Sequence, residues 1–134
     1  ITPPVDAYFV SSRYGMRRAP FTKRKAFHGG VALGGLPRSR VYTTSPGIIT
    51  FVGWKGPYGR MVEVDHGLGF RTRYGHLRKI LVKHRQIVKY RHKIGLMGSS
   101  GRSTGAHVHY EVLFDGKPVD PMKFLKAGKY VFKG

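Results

Sequence analysis

Apolar and polar residues alternate along several short stretches of the chain, and glycine-rich breaks separate them. In RMVEVDH, residues 60–66, Val62 and Val64 alternate with Glu63 and Asp65. In GFRTRYGHL, residues 69–77, Phe70, Thr72 and Tyr74 alternate with Arg71 and Arg73. A period of two sends successive side chains to opposite faces of a strand, so both stretches predict strands with one face buried. VYTTSPGIITFVGW places a Pro-Gly turn signal ahead of the β-type run IITFV, and VHYEVLF, residues 108–114, predicts a further strand. It runs into FDGKPVD, where Asp115-Gly116 is a hairpin signal. Helical periodicity is confined to PMKFLKAGK near the end, which predicts one short turn. Closely spaced short strands with glycine-rich turns (RYGMR, KGPYGR, DHGLGF, SSGRSTG) predict a mostly β fold: an antiparallel sandwich or barrel-like sheet with little helix.

Composition narrows the picture. The 134 residues suit one compact domain with a real core, and no repeat, low-complexity tract or long linker divides them. The start, ITPPVDAYF, lacks the charged opening and apolar run of a signal peptide and reads as a mature fragment or an excised domain. No stretch approaches the ~18 apolar residues of a membrane span. Cysteine is absent, which removes disulfides, thiolate zinc sites and thiol catalysis from consideration. Lys and Arg number 25 against 6 Asp and Glu, a net charge of +19, so the surface will attract polyanions: nucleic acid, anionic lipid or anionic wall polymer.

The candidate chemistry lies in seven histidines. His107 and His109 flank Val108 on a predicted strand, so both imidazoles share one face, ~6–7 Å apart along it. That spacing suits two metal ligands, one ligand and one acid/base, or two exposed strand histidines. His76 in TRYGHL and His28 in FHGGV are ambiguous alone. His84 and His92, in KHRQ and YRHKI, sit in charge runs that predict solvated faces, and His66 in DHGLG predicts a turn residue. Tyr74, Tyr110, Trp54 and Tyr58 are expected in packing or in a groove wall.

Taken in order, these pieces resemble the zinc metallopeptidases of the M23 type, the LytM/lysostaphin-like domains that cut peptidoglycan cross-bridges. SSRYGMRRAP resembles the family's opening strand and loop, and FHGGVAL falls on its His-x-Gly-x-Asp motif. GIITFVGWKGPYGRMVEVDHGLGFRTRYGHL resembles its central sheet, and KIGLMGSSGRSTGAHVHYEV its closing glycine-rich loop and His-x-His strand. The resemblance implies one LytM-type domain over residues 1–134, with its core at about 11–122, excised from a longer exported protein of the cell envelope (the periplasm if the source is Gram-negative). It implies zinc as cofactor, His28 and His109 as metal ligands, and His76 and His107 as the histidines that act on substrate or attacking water. Three protein ligands and a water make a catalytic zinc site that lowers the water's pKa and polarises the scissile carbonyl. A nearby imidazole then moves the proton or steadies the oxyanion.

One ligand position departs from the pattern. Ala32 stands where the resemblance implies an aspartate, and the nearest acidic residues in sequence, Asp6 and Glu63, lie outside the motif. Zinc binding and hydrolysis are therefore expected to be weak or absent, and Ala32→Asp to recover both. Arg85 and Arg91 also stand where the family commonly has turn glycines, which fits natural drift; four intact histidines fit the loss of one ligand from a working site. Three functions follow as expectations: an impaired endopeptidase acting on peptidoglycan peptide crosslinks; a non-catalytic relative that binds and activates a cell-wall amidase; or a basic polyanion-binding module. No specific nucleic-acid motif is present.

Overall fold

The computed structural model describes residues 2–18, 25–101 and 105–125. Its strands are β1 (Phe9–Ser12), β2 (Gly15–Arg18), β3 (Lys25–His28), β4 (Val31–Gly34), β5 (Arg40–Tyr42), β6 (Gly47–Trp54), β7 (Arg60–Gly67), β8 (Phe70–Ile80), β9 (Ile87–Val88), β10 (Lys93–Met97), β11 (His107–Phe114) and β12 (Lys117–Val119). A 3₁₀ turn covers Gly56–Tyr58, and residues 121–125 are helical. The rest of the predicted helical turn lies outside the described residues.

Ten strands form one sheet in which every pairing is antiparallel. Its main path runs β1-β4-β11-β8-β7-β6-β9, with β5 and β10 branching off β8 and β12 off β11; β2 and β3 make a separate ribbon. The path ends on two different strands, so the sheet stays open. The Asp115-Gly116 signal is met: both residues have positive φ, 48° and 79°, and they close the β11–β12 hairpin as a primed turn does.

The strand β8 organises the rest. Along one edge its residues 70–75 pair with β11, and from Leu77 onward β10 takes over. The change of partner falls at His76. On the other edge the register against β7 slips at the same place: Val62 faces Tyr74 and Arg60 faces Leu77, so β8 carries an extra residue. A β-bulge of this kind re-aims one side chain.

Val31, Leu33, Ile49, Val62, Val64, Tyr74, Leu77, Val108 and Tyr110 are fully buried in one cluster. Tyr74 and Tyr110 join the core through their rings and satisfy their hydroxyls on Thr44 and Thr72. The other sheet face is polar. Glu111, Arg73 and Glu63 stand directly in line across β11, β8 and β7. Alternation places Glu63 away from the core, yet it is only 6% exposed. Arg71, Arg73 and Thr50 enclose it with hydrogen bonds of 3.0, 2.7 and 2.8 Å, so its burial is that of a paired charge.

Candidate metal and histidine site

Four imidazoles meet above the polar face. The rings of His28 and His109 lie 5.0 Å apart, His76 and His107 4.7 Å, and His76 and His109 6.1 Å. They arrive from three elements: His28 at the end of β3, His76 from the bulge of β8, and His107 with His109 from β11. Strict alternation along β8 sends His76 to the face of Tyr74, into the core. The bulge reverses it, and its cost is visible: His76 has φ +60°, a left-handed conformation rare for residues other than glycine. Gly75 beside it leaves little room for a side chain: a Cβ there would meet the Tyr58 carbonyl oxygen at 3.2 Å and His109 Cβ at 3.5 Å.

The outer nitrogens of the first pair are both tied to acceptors. His28 Nδ1 lies 2.8 Å from the Arg13 carbonyl oxygen, which can only accept, so Nδ1 carries the proton. His109 Nε2 lies 2.7 Å from Glu111 Oε1. Burial by itself would raise the Glu111 carboxyl, but hydrogen bonds from His109 and Tyr58 and the charge of Arg73 outweigh it and hold the group below its ordinary value. Glu111 is therefore an acceptor, and His109 carries its proton on Nε2. His28 Nε2 and His109 Nδ1 face each other across 3.3 Å, a hydrogen bond when one of them carries a proton and two donor atoms for one metal when neither does. Two nitrogens bound at ~2.0–2.1 Å to one tetrahedral ion stand ~3.3 Å apart, so the spacing is that of two ligands of one metal. A carboxylate or carbonyl fixing the far nitrogen of each ring is the usual outer support of such ligands.

Position 32 supplies no third donor. Ala32 lies directly opposite His109 on the neighbouring strand, and directly opposed residues share a face. An aspartate there would stand beside the ligand pair; the methyl group offers nothing. Glu111 cannot replace it, since it is engaged on the outer side of His109. Among the described residues no cluster of three or more His, Cys, Asp or Glu is disposed to hold a metal. The pair fits a zinc ion, and the donor set as a whole falls one ligand short of a catalytic one.

The second pair is held neutral. His76 Nδ1 donates to the Ser100 carbonyl oxygen at 2.6 Å and His107 Nδ1 to the Gly105 carbonyl oxygen at 2.8 Å, which makes Nε2 the acceptor nitrogen in each. Burial pushes the His76 imidazole down to about 4, and the neighbouring histidines add to the fall despite the Ser100 hydrogen bond. Burial also lowers His107.

Two contributors escape sequence reasoning. Glu111 follows His107 and His109 at the same period of two, so its place on their face was legible in HVHYE. Tyr58 had no such signal: the 3₁₀ turn sets its ring 5.5 Å from that of His109 and its hydroxyl 2.8 Å from Glu111. Trp54 is 60% exposed, with the Arg60 guanidinium 5.9 Å from its ring centre. Of the remaining histidines, His84 is exposed as expected, whereas His92 is half-buried near Gln86 and His66 is held by Pro46 and Thr72.

The family model described as Peptidase family M23 matches residues 26–121, which span all four site histidines and most of the sheet. The chain belongs to peptidase family M23. Peptidoglycan DD-endopeptidase ShyA of Vibrio cholerae is 43% identical over 123 residues, covering 90% of this chain and 28% of its own length. A zinc-containing peptidase from Vibrio cholerae superposes with a TM-score of 0.84 at 40% identity, over 90% of this chain and 38% of that one. The catalytic domain of lysostaphin from Staphylococcus simulans matches at 0.81 and 30% identity, over 89% of this chain and 92% of that domain. The M23 chain thus has a LytM-type antiparallel fold and spans under a third of ShyA.

Proposed function

We propose that this domain engages peptide crosslinks of peptidoglycan in the cell envelope, and that with alanine at position 32 it hydrolyses them little or not at all. The observation that carries the reading is the approach of His28 Nε2 and His109 Nδ1 to 3.3 Å with no third donor beside them among the described residues. Kinship with ShyA and lysostaphin supports the wall peptide as substrate class.

A zinc ion held by His28, His109 and a restored carboxylate would supply an acidified water and a polarised carbonyl. The chain's own residues do the rest. Glu111 and the Arg13 carbonyl orient the two ligand rings and fix their tautomers. His76 and His107, neutral with Nε2 as acceptor, are poised to take a proton at that atom or, once protonated, to steady an oxyanion. Tyr58 shields the outer edge of His109 from water.

The test is Ala32→Asp. Metal analysis should rise from a small fraction to about one zinc per chain, and cleavage of purified muropeptides should appear with it. A variant that folds but takes up no zinc would remove the ligand roles of His28 and His109.

A further inference from the structure

A second, strongly basic cavity opens beside the histidines. It is open to solvent, has a volume of about 400 Å³, and sets Arg60, Arg78, Ser99 and Ser100 against the apolar Pro37 and Met97. Its back wall is the scaffold of the histidine site. The Ser100 carbonyl holds His76 Nδ1 at 2.6 Å, and the Gly98 carbonyl accepts the His107 backbone N–H at 3.1 Å. The cavity and the two histidines therefore share one stretch of backbone, Gly98 to Ser100.

Among the described residues its two guanidiniums have no carboxylate partner. All six carboxylates of the chain lie in described residues. Four are engaged elsewhere: Asp6 with Arg91, Glu63 with Arg71 and Arg73, Asp65 with Arg71, and Glu111 with Arg73 and His109. The other two, Asp115 and Asp120, flank the β12 hairpin strand, and neither pairs with Arg60 or Arg78 among the described residues. Arg60 is nevertheless positioned. Its backbone N–H donates to Ser100 Oγ at 3.1 Å, and its guanidinium lies 5.9 Å from the Trp54 ring centre. Ser100 Oγ is itself spent as donor to the Leu77 carbonyl at 2.6 Å, which leaves Arg60 and Arg78 as the charged groups of the lining. Planar guanidinium forks bind carboxylates bidentately.

We propose that the Arg60–Arg78 cavity is a specificity subsite for a free carboxylate of the bound peptide, on the residue adjoining the scissile bond. The proposal rests on the crosslink reading above. A bond between two D-centres leaves such a carboxylate on the carbon that bears the amide nitrogen, within one residue of the histidines. The subsite selects crosslinks that keep this carboxylate free over those in which it is amidated.

The test uses binding, which needs no hydrolysis. Diacetyl-L-Lys-D-Ala-D-Ala and its C-terminal amide are titrated into the protein by NMR, alongside Arg60→Gln/Arg78→Gln. Both side chains are exposed, and an unchanged melting temperature shows that the variant is folded. The acid should bind about tenfold more tightly than the amide, a gap that narrows with salt. The double variant should bind both forms as weakly as the wild type binds the amide. Equal binding of acid and amide by the wild type, or a preference that survives in the double variant, overturns the subsite and leaves the crosslink reading standing. Binding of neither peptide, with none to purified muropeptides, overturns both.

Discussion

The protein holds two histidine neighbourhoods that the sequence presents alike and the fold treats oppositely. His66, near the end of β7, has both ring nitrogens occupied: Nδ1 is 2.8 Å from the Pro46 carbonyl oxygen and Nε2 is 2.7 Å from Thr72 Oγ1. Nothing is left to offer a ligand, and the ring acts as a brace between β7, β8 and the turn before β6. At the other end, His28 and His109 satisfy one nitrogen each on the outside and turn the second toward each other. A histidine's chemistry is set by where its second nitrogen points, and only the hydrogen-bond partners reveal it.

The largest expected break in this contrast comes from pH. His76 titrates at about 4 in the folded chain against an ordinary 6.5, so the unfolded chain takes up the proton first as pH falls. The His76 contribution is complete above 6.5, is lost progressively between 6.5 and 4, and is worth up to about 3 kcal/mol. Denaturant titrations of the wild type and His76→Asn across that window should show the steeper slope in the wild type; parallel curves would contradict it. Next is Glu111→Gln in the Ala32→Asp background, which keeps the shape but weakens the acceptor behind His109. Zinc affinity should fall about 10- to 100-fold by competition with a chelator dye. An unchanged affinity would deny Glu111 its supporting part.

His66→Ala should do the converse. It leaves Thr72 and the Pro46 carbonyl short of a partner and should lower unfolding stability by about 1–2 kcal/mol. Zinc uptake of the Ala32→Asp protein should not change. If His66→Ala impaired uptake, the two neighbourhoods would be coupled, contrary to their separate bonding. The smallest effect belongs to Arg85, which has φ +71° where glycine is at ease. Arg85→Gly should raise stability by about 0.5–1 kcal/mol, read as a shift in the denaturant midpoint at constant slope. Arg91, at φ +52°, is a poorer probe because it also pairs with Asp6 and stacks on Tyr42.

Arg85 and Arg91 mark how far the sequence could be read. The family resemblance implied turn glycines at both positions, and both arginines have positive φ. The alternation in residues 60–74 and 108–114 predicted β7, β8 and β11 with Val62, Val64 and Tyr74 inward, and those residues are buried. It misjudged Glu63, because alternation separates faces without saying that the second face is also covered, here by Arg71 and Arg73.

The chain's own order of residues determined its strands, its excess of positive charge, the shared face of His107 and His109, and the presence of an alanine, which has no donor atom, at position 32. All of these follow from period, count and identity, which are local. Tertiary structure alone decided that His28 meets His109, that a bulge turns His76 out of the core, and that Arg60 and Arg78 line one cavity with no carboxylate in its lining among the described residues. Those outcomes depend on which strand lies beside which and in what register, and a one-residue slip on β8 is enough to reverse the direction of a side chain.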